Sequence, residues 1–458
     1  MRKRLNKRKA ISMGLSTALF VLLFLILFIP EGKSNPDTGI TNCTNLTTAG
    51  ERYNLTNDIY NNQIADACIN IFSPNVTFNC NGHYIYSIQN YSGVYSNATN
   101  STIKNCNITM GSGANANANG IYFNGANNGT IFNNSIFGDS YNGIFLDSSS
   151  NNNLILNNAT SNSSFGIWLY ASPKNILTSN IGISNSSGIG IGLSLSLNNN
   201  LTSNIGISNS FYGIYLDSSS NSILTSNTGT SNSSYGIYLS GNNNTLTSNT
   251  GTSKSFYGIY LSGKNNNLTS STGTSISGIG IYLSGNNNTL TSNTGTSNSS
   301  SGIFLDSSSN NTLTSNTGTS NSSSGIYISY SSNNILKNNN VSNSPSGFFI
   351  DGNSDQHFNN SIDMTNVLDG SYKLYYNYSI SNYVFDLTTA PDAGEIFCAK
   401  CNNITVKNLN SVHPLKGMYF FNTTNSIIQN ITSNVSDGVG ISLDSSSNNT
   451  LTSSTGTS

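Results

Sequence analysis

The chain has 458 residues, a formal net charge of −1 and only 8% charged side chains, where an ordinary domain carries roughly 25%. Asn, Ser, Thr and Gly take the place of charges, and no arginine follows Arg52. Binding to nucleic acid requires a stripe of basic side chains, so this composition excludes it. Cleavage or epimerisation of acidic polysaccharides needs cations beside the substrate carboxylates, so it is disfavoured too.

Residues 1–33 predict a targeting segment. The first ten residues contain six Lys or Arg, and the apolar run at residues 11–30 is long enough to span a bilayer. The basic flank should stay in the cytoplasm, so the rest of the chain is expected outside, either membrane-anchored or secreted to the cell surface. An uncleaved signal-anchor and a cleaved signal peptide both remain open. The lack of a small-x-small cleavage pattern favours the anchor.

Residues 34–110 are predicted to form an N-terminal cap and the first coils of a stack, because their strand-like runs are irregular. Six cysteines fit an oxidising exterior. Four of them lie in this region, and the spacings from Cys43 to Cys68 and from Cys80 to Cys106 are each about one repeat unit. Each pair could therefore form a disulfide between neighbouring coils. Four cysteines allow three pairings, and the choice stays open.

Residues 111–358 carry a regular repeat. A Gly-Ile step, Gly-Phe in the last unit, recurs every 22 to 24 residues. Self-similarity at a fixed period indicates stacked supersecondary units. The glycines are Gly120, Gly143, Gly166, Gly190, Gly213, Gly236, Gly258, Gly280, Gly302, Gly325 and Gly347.

One unit predicts three short strands joined by turns rich in Asn, Ser and Gly. Apolar and polar residues alternate after Gly236, which places Ile237 and Leu239 inside and Tyr238 outside. A second strand places Leu246 inside. The sequence therefore predicts an all-β fold, a parallel β-solenoid in which columns of Ile, Leu and hydrogen-bonded Asn run along the stack. A disordered tract is disfavoured because the apolar spacing is fixed.

Residues 359–410 lose the period and contain the Cys398-Ala-Lys-Cys401 motif. We expect them to continue the solenoid as irregular coils, with a local disulfide between the two cysteines and a metal-binding pair as the alternative. Regular units resume in residues 411–458. The sequence stops within a unit and without a cap, so we expect a fragment or a truncated sequence.

The units of the form GIYL-Ser/Asp-x-Ser-x-Asn-Asn-x-Leu-x-x-Asn resemble the right-handed parallel β-helix family that includes the NosD-like periplasmic copper-binding proteins. The stretch from Asn366 to Tyr376 is similar to the non-repeating segment that this family carries between its coils. The resemblance implies a right-handed helix, export, and copper handling or sugar recognition. Copper prefers His, Met or Cys ligands. Outside the targeting segment the candidates, besides the Cys-x-x-Cys motif, are His83, His357, His413, Met110, Met364 and Met418. No cofactor is predicted from the residues themselves, and copper rests on the resemblance alone.

The outward aspartates are the candidates for catalytic groups, because hydrolysis of glycosides needs two carboxylates roughly 5 to 10 Å apart. Asp306 and Asp351, two coils apart, are the closest outward pair. Both, like Asp147 and Asp217, enter a turn, where Asp commonly caps the backbone. We therefore predict no catalytic residue.

The most specific functional signal is a row of outward aromatic side chains on the GIYL strand, with a row of polar side chains beside it. Flat aromatic faces next to short polar groups can bind sugar rings, whereas the alternative is that equivalent rings stack on one another. The candidate ligand-binding residues are Trp168, Tyr170, Tyr215, Asp217, Tyr238, Tyr260, Tyr282, Phe304 and Asp306. Asn232, Asn298 and Asn321 lie in Asn-x-Ser sequons, which suggests a glycoprotein if the chain is exported.

Three functions follow in order of preference. The first is an exported, non-enzymatic cell-surface β-helix with a structural or adhesive role, which would contact a cell-surface protein or glycan. The second is an exported carbohydrate-binding or carbohydrate-processing β-helix. The third is copper handling of the NosD-like kind.

Overall fold

In this computed structural model the described residues are 37–60, 67–89, 91–111, 118–138, 141–409, 417–434 and 440–457. The predicted membrane segment at residues 11–30 and His413 lie outside these ranges. Among the described residues, no helix is long and apolar enough to cross a membrane. The chain divides into two units, residues 1–38 and 39–458, and the second contains almost all the described strands.

The predicted all-β parallel solenoid is confirmed. Successive strands along the chain go to a first, a second and a third sheet, and each strand pairs in parallel with its equivalent one coil on. The first sheet has 14 strands, at Thr44–Leu46, Ala67–Ile71, Ser92–Ser96, Asn119–Asn124, Asn142–Asp147, Phe165–Tyr170, Ile191–Ser194, Ile214–Asp217, Ile237–Leu239, Ile259–Leu261, Ile281–Leu283, Ile303–Asp306, Ile326–Ser329 and Phe348–Asp351.

The second sheet has 15 strands and contains the strand equivalent to Thr245–Thr247 in each repeat. Its strands are Thr38–Ile40, Arg52–Leu55, Thr77–Asn79, Thr102–Lys104, Thr130–Phe132, Asn153–Ile155, Ile176–Thr178, Asn200–Thr202, Ile223–Thr225, Thr245–Thr247, Asn267–Thr269, Thr289–Thr291, Thr312–Thr314, Ile335–Lys337 and Ser361–Ile362.

The third sheet contains the Thr-Gly-Thr-Ser segment of the later repeats. Its parallel strands are Ile59–Tyr60, Tyr84–Ser87, Asn107–Met110, Ser135–Phe137, Asn158–Ser161, Ile181–Ser184, Ile205–Ser208, Thr228–Ser231, Thr250–Ser253, Thr272–Ser275, Thr294–Ser297, Thr317–Ser320, Asn340–Ser342 and Val367–Leu368.

The core is built as the alternation predicts. Ile237, Leu239 and Leu246 are fully buried, and their equivalents pair in register in the coils before and after. The turns on either side of the second sheet each place one residue in the left-handed region, such as Asn243 at φ 56° and Ser248 at φ 56°. Asn tolerates this conformation better than most residues, which explains its abundance at the turns.

The predicted Asn column is also confirmed. In one ladder, the buried Asn204 donates its Nδ2 hydrogen to the Oδ1 atom of Asn227 at 3.0 Å, and Asn227 donates to Asn249 at 3.0 Å. The same Nδ2 atoms donate to backbone carbonyls one coil back, as Asn227 does to Leu201 at 2.8 Å. The ladder therefore satisfies backbone groups at the turn that leads into the third sheet.

The stack does not continue directly through residues 359–410. A short 3-10 helix at Asp355–Phe358 follows the last strand of the first sheet, and after Val367–Leu368 the chain reverses and pairs antiparallel with Tyr372–Tyr378. A second, shorter stack starts there. Its strands pair in parallel at Tyr372–Tyr378, Ala393–Ala399, Gly417–Phe421 and Ile441–Asp444; at Ser381–Phe385, Asn402–Lys407, Ile427–Gln429 and Thr450–Thr452; and at Thr432–Asn434 and Thr455–Thr457.

The first strand set of the second stack works as a shared wall. Leu374 and Phe397 point into the main core, whereas Tyr375 and Ile396 point into the separate core of the second stack. This alternation covers the end of the main core with apolar side chains. The expectation of irregular coils in one continuous stack is therefore replaced by two stacks that share a wall, because the turn after Leu368 reverses the strand direction.

Candidate functional site

The structure places the predicted aromatic row on the outer face of the first sheet, in register from coil to coil. Tyr215, Tyr238, Tyr260 and Tyr282 are consecutive partners, and Phe304 follows them. All are half-buried. Tyr170 belongs to the neighbouring polar row, where it pairs with Asp147 and Ser194 and is exposed.

Within the row the rings stack mainly on one another. Tyr238 and Tyr260 have ring centroids 4.9 Å apart at 9°, and Phe304 and Tyr327 lie 4.4 Å apart at 17°. A ring face covered by the next ring is closed to a ligand, so the row presents ring edges and hydroxyl groups outward. The rings therefore stack on one another, as the alternative interpretation of the row expects, and their edges form its outer surface.

Trp168 bridges the gap that Gly192 leaves in the row. The indole stacks on Tyr215, with centroids 6.2 Å apart, although the two residues lie two coils apart. A Cβ atom on Gly192 would come 2.3 Å from Cζ3 of the indole, so the ring lies directly over the glycine. The large indole therefore keeps the ladder continuous across a coil without a ring.

A second column of aromatic rings, which was not predicted, runs beside the aromatic row, the first column. Tyr212, Tyr235 and Tyr257 each precede the glycine of their unit, and Tyr212 and Tyr235 stack at 5.4 Å and 4°. Tyr257 stacks on Tyr282 of the first column at 4.7 Å and 5°. The signal was present in the sequence as the Tyr-Gly-Ile-Tyr pattern of three successive units.

Two phenylalanines project from this double column. Phe211 is 44% exposed and Phe256 is 50% exposed. Phe256 meets Tyr257 edge-on at 81° and Tyr235 at 56°, so neither ring covers its face. We call this surface the aromatic patch: Phe211, Tyr212, Tyr215, Tyr235, Tyr238, Phe256, Tyr257, Tyr260 and Tyr282.

Short polar groups border the patch and are already oriented. Ser240 donates its hydroxyl hydrogen to Asp217 at 2.7 Å. Tyr282 donates to Asp306 at 2.6 Å. A carboxylate has about four lone-pair sites, so each of these aspartates keeps acceptor capacity for hydroxyl groups of a ligand.

Burial raises the pKa of most phenols in the patch. Burial, followed by repulsion from neighbouring phenols, raises the pKa of Tyr235 to about 12. Burial and then the charge of Asp217 raise the pKa of Tyr215, and burial with the hydrogen bond to Asp306 raises the pKa of Tyr282. The patch therefore offers neutral hydroxyl donors over the physiological range.

Asp306 and Asp351 lie in one column with Ser329 between them, as the repeat predicts. Each carboxylate accepts a hydrogen bond from a row tyrosine of the preceding coil, Tyr282 at 2.6 Å and Tyr327 at 2.8 Å. Each of the two carboxylates therefore orients a phenol of the aromatic row.

The described candidate copper ligands lie in separate surroundings. Among the described residues, no group of three or more His, Cys, Asp or Glu side chains could hold a metal ion. His83 contacts Asp58 at 3.0 Å, Met110 lies in the main core and Met418 in the second core. Cys398 and Cys401 are joined in a disulfide, which removes the thiolates that copper prefers.

The remaining cysteines are paired between neighbouring coils, Cys43 with Cys68 and Cys80 with Cys106.

An open cleft of about 690 Å³ lies where the two stacks meet. Tyr375, Tyr383 and Met364 contribute to its lining. It is distinct from the aromatic patch.

The strand order and the in-register columns define a parallel β-solenoid repeat protein with an aromatic outer face. A family model described as "right handed beta helix region" matches residues 54–189, 119–274 and 236–382, which together span residues 54–382. The chain belongs to this right-handed β-helix family. The narrower resemblance to NosD-like proteins is not confirmed.

The solved structures to which this chain is similar include three at low sequence identity. The Dettilon tailspike protein is 14% identical with a TM-score of 0.36, and the match covers 72% of this chain and 62% of that one. A tailspike mutant of the E. coli bacteriophage HK620, in complex with a pentasaccharide, is 10% identical with a TM-score of 0.26 and coverages of 84% and 74%. The periplasmic alginate epimerase AlgG is 12% identical with a TM-score of 0.30 and coverages of 92% and 84%. No curated protein sequence matches the chain.

Proposed function

We propose that this protein is an exported β-helix that binds neutral glycans through its aromatic patch, without a catalytic step. The observation that carries the proposal is the pair of projecting rings, Phe211 and Phe256, on a double column of tyrosines. Stacking of the coils does not require exposed phenylalanines, which cost free energy in water. A ligand that covers them would recover that cost.

The chemistry of the patch favours a sugar. Open aromatic faces pack against the C–H faces of a sugar ring, while phenol hydroxyls and the Asp217 carboxylate can exchange hydrogen bonds with sugar hydroxyls. Between Ile205 and Ser284 the charged side chains are Asp217, Lys254 and Lys264. Such a nearly neutral surface suits an uncharged glycan better than an acidic one.

The repeat itself favours a polymeric ligand. Equivalent tyrosines recur at each coil, about 4.8 Å apart along the stack. A chain of identical sugars lying along the patch could make the same contact at successive coils. Affinity should therefore rise with oligosaccharide length until the four patch coils are spanned.

The exported location in this proposal is supported by the disulfides. Three disulfides join all six cysteines of the chain. Disulfides persist in oxidising compartments and are rare in the cytosol. Glycans of the cell surface or of the surroundings would be accessible there.

Binding of neutral oligosaccharides tests the proposal. The full chain is applied to an array of glucose, mannose and N-acetylglucosamine oligomers of increasing length, and positives are measured by calorimetry. We expect the double variant Phe211→Ala/Phe256→Ala to weaken binding roughly tenfold, since each aromatic contact contributes about 0.5–1.5 kcal/mol.

The matched control is Tyr141→Ala/Tyr330→Ala, which removes two similarly exposed rings outside the patch, 44% and 47% exposed. This variant should bind like the wild type. Failure of the wild type to bind any neutral glycan, or an equal loss in the control, overturns the proposal and leaves the structural role that the sequence favours.

A further inference from the structure

A regular array of threonines covers the outer face of the third sheet. Five consecutive strands read Thr-Gly-Thr-Ser, and their glycines and serines point inward while both threonines point outward. The threonines pair in register between coils. We call this surface the threonine face: Thr228, Thr230, Thr250, Thr252, Thr272, Thr274, Thr294, Thr296, Thr317 and Thr319.

The hydroxyl groups of this face are available to an external ligand. Thr319 contacts the hydroxyl of Ser342 at 3.1 Å. The other nine threonine hydroxyls have no hydrogen-bond partner among the described residues, and their side chains are half-exposed. The five strands carry no charged and no aromatic side chain.

The geometry of the face is a two-dimensional lattice. Hydroxyls repeat about 4.8 Å apart between coils and about 6.6 Å apart along each strand. Threonine is β-branched and stiff at χ1, so its hydroxyl and methyl groups repeat in the same positions from coil to coil. Side-chain ladders limit sheet twist, and a buried ladder that includes Asn227, Asn249, Asn293 and Asn316 runs directly before these strands.

The spacing between coils matches a lattice of water. Water molecules that hydrogen-bond at about 2.8 Å in tetrahedral geometry have second neighbours about 4.6 Å apart. Hydroxyls at about 4.8 Å can therefore occupy successive lattice positions. A neutral face also avoids placing a charge against an uncharged solid. Glycans are a poorer fit because the face offers no ring for stacking.

We infer that the threonine face binds ice, a function separate from glycan binding at the aromatic patch. The ligand class is the ordered surface of solid water, held by many weak and equivalent contacts. Binding would be effectively irreversible once several coils engage, because the contributions of equivalent sites on a rigid surface combine.

The test measures thermal hysteresis and inhibition of ice recrystallisation by the full chain. We expect activity in the wild type and its loss in Thr252→Tyr/Thr274→Tyr, where two bulky rings hold the centre of the face away from a flat surface. Circular dichroism checks that the variant keeps its fold. The control, Thr312→Tyr/Thr314→Tyr, places the same rings on the outer face of the second sheet and should retain activity.

Three outcomes overturn the inference. One is the absence of both activities in the wild type. The second is an equal loss of activity in the control, which would mean that the outer face of the third sheet is not specifically required for ice binding. The third is binding of the wild type to crystalline cellulose without any effect on ice, which would assign the face to a solid glycan.

Discussion

The buried Asn ladder gives the sharpest stability prediction. Asn316 is almost fully buried and sits between Asn293 and Asn339. Its Oδ1 atom accepts hydrogen bonds from the backbone N–H of Asn293 at 2.9 Å and from the Asn293 amide at 2.9 Å. Its Nδ2 atom donates to the carbonyl of Leu290 at 2.9 Å. Asn316→Ala therefore removes one rung and keeps the apolar core intact.

The magnitude follows from the groups left behind. The backbone N–H of Asn293 loses its acceptor while buried, which costs about 1–3 kcal/mol. The hydrogen bonds that Asn316 donates to Leu290 and Asn339 and accepts from the Asn293 amide contribute roughly 1 kcal/mol each. We expect a loss of about 4–6 kcal/mol in the free energy of unfolding. The loss should be local, since each coil contacts only its neighbours.

Guanidinium unfolding measures the total loss, and amide hydrogen exchange at Asn293 measures the local one. The control is Asn321→Ala, an exposed rung that donates to Asn298 at 2.8 Å and should cost less than about 0.5 kcal/mol. If both variants lose the same stability, or if the Asn293 amide keeps its protection, buried amide ladders do not hold the coils as argued.

Three further predictions concern the aromatic row and the junction. Gly192→Ala should displace the indole of Trp168, the sole tryptophan, and shift its fluorescence; an unchanged emission spectrum would contradict the bridging geometry. Gly347→Ala should loosen the junction between the stacks, because Gly347 has φ 54° and a Cβ atom would overlap the buried carboxylate of Glu395. Limited proteolysis should then cut the variant between the stacks, and a variant as resistant as the wild type would count against this account. The raised pKa of Tyr235, about 12 against 10.0, favours the folded state fully below pH 10 and loses this contribution as the pH rises from 10 to about 12. Phenolate absorbance should therefore appear later in the folded chain than after denaturation, and coincident titrations would refute the burial.

Much of the fold was predictable because it repeats. Within one unit the alternation of apolar and polar residues predicts a strand, and every copy has the same alternation. Ile237, Leu239 and Leu246 could therefore be placed in the core without knowledge of the neighbouring coils. The Asn ladder follows from the same logic, since a residue at one position must lie above its equivalent. The outward row of tyrosines was predictable for the same reason.

The candidate site was predictable only in part. The row was expected, but the sequence could not decide whether its rings face a ligand or each other, because that depends on side-chain rotamers. Tyr212, Tyr235 and Tyr257 lie in a turn, where no alternation rule assigns a direction, so the second column was missed. The stacking of Trp168 on Tyr215 over Gly192 could not be predicted either, because the strand register pairs only residues of adjacent coils and these two lie two coils apart.

The sequence by itself determined the solenoid, its period and the identity of each column, because these depend on local alternation repeated along the chain. Tertiary structure alone decided which cysteines pair, where the stack reverses after Leu368, and which rings remain open to a ligand. Those features depend on contacts between residues that occur once, so no repeated pattern encodes them. The projecting faces of Phe211 and Phe256, on which glycan binding rests, belong to this second group.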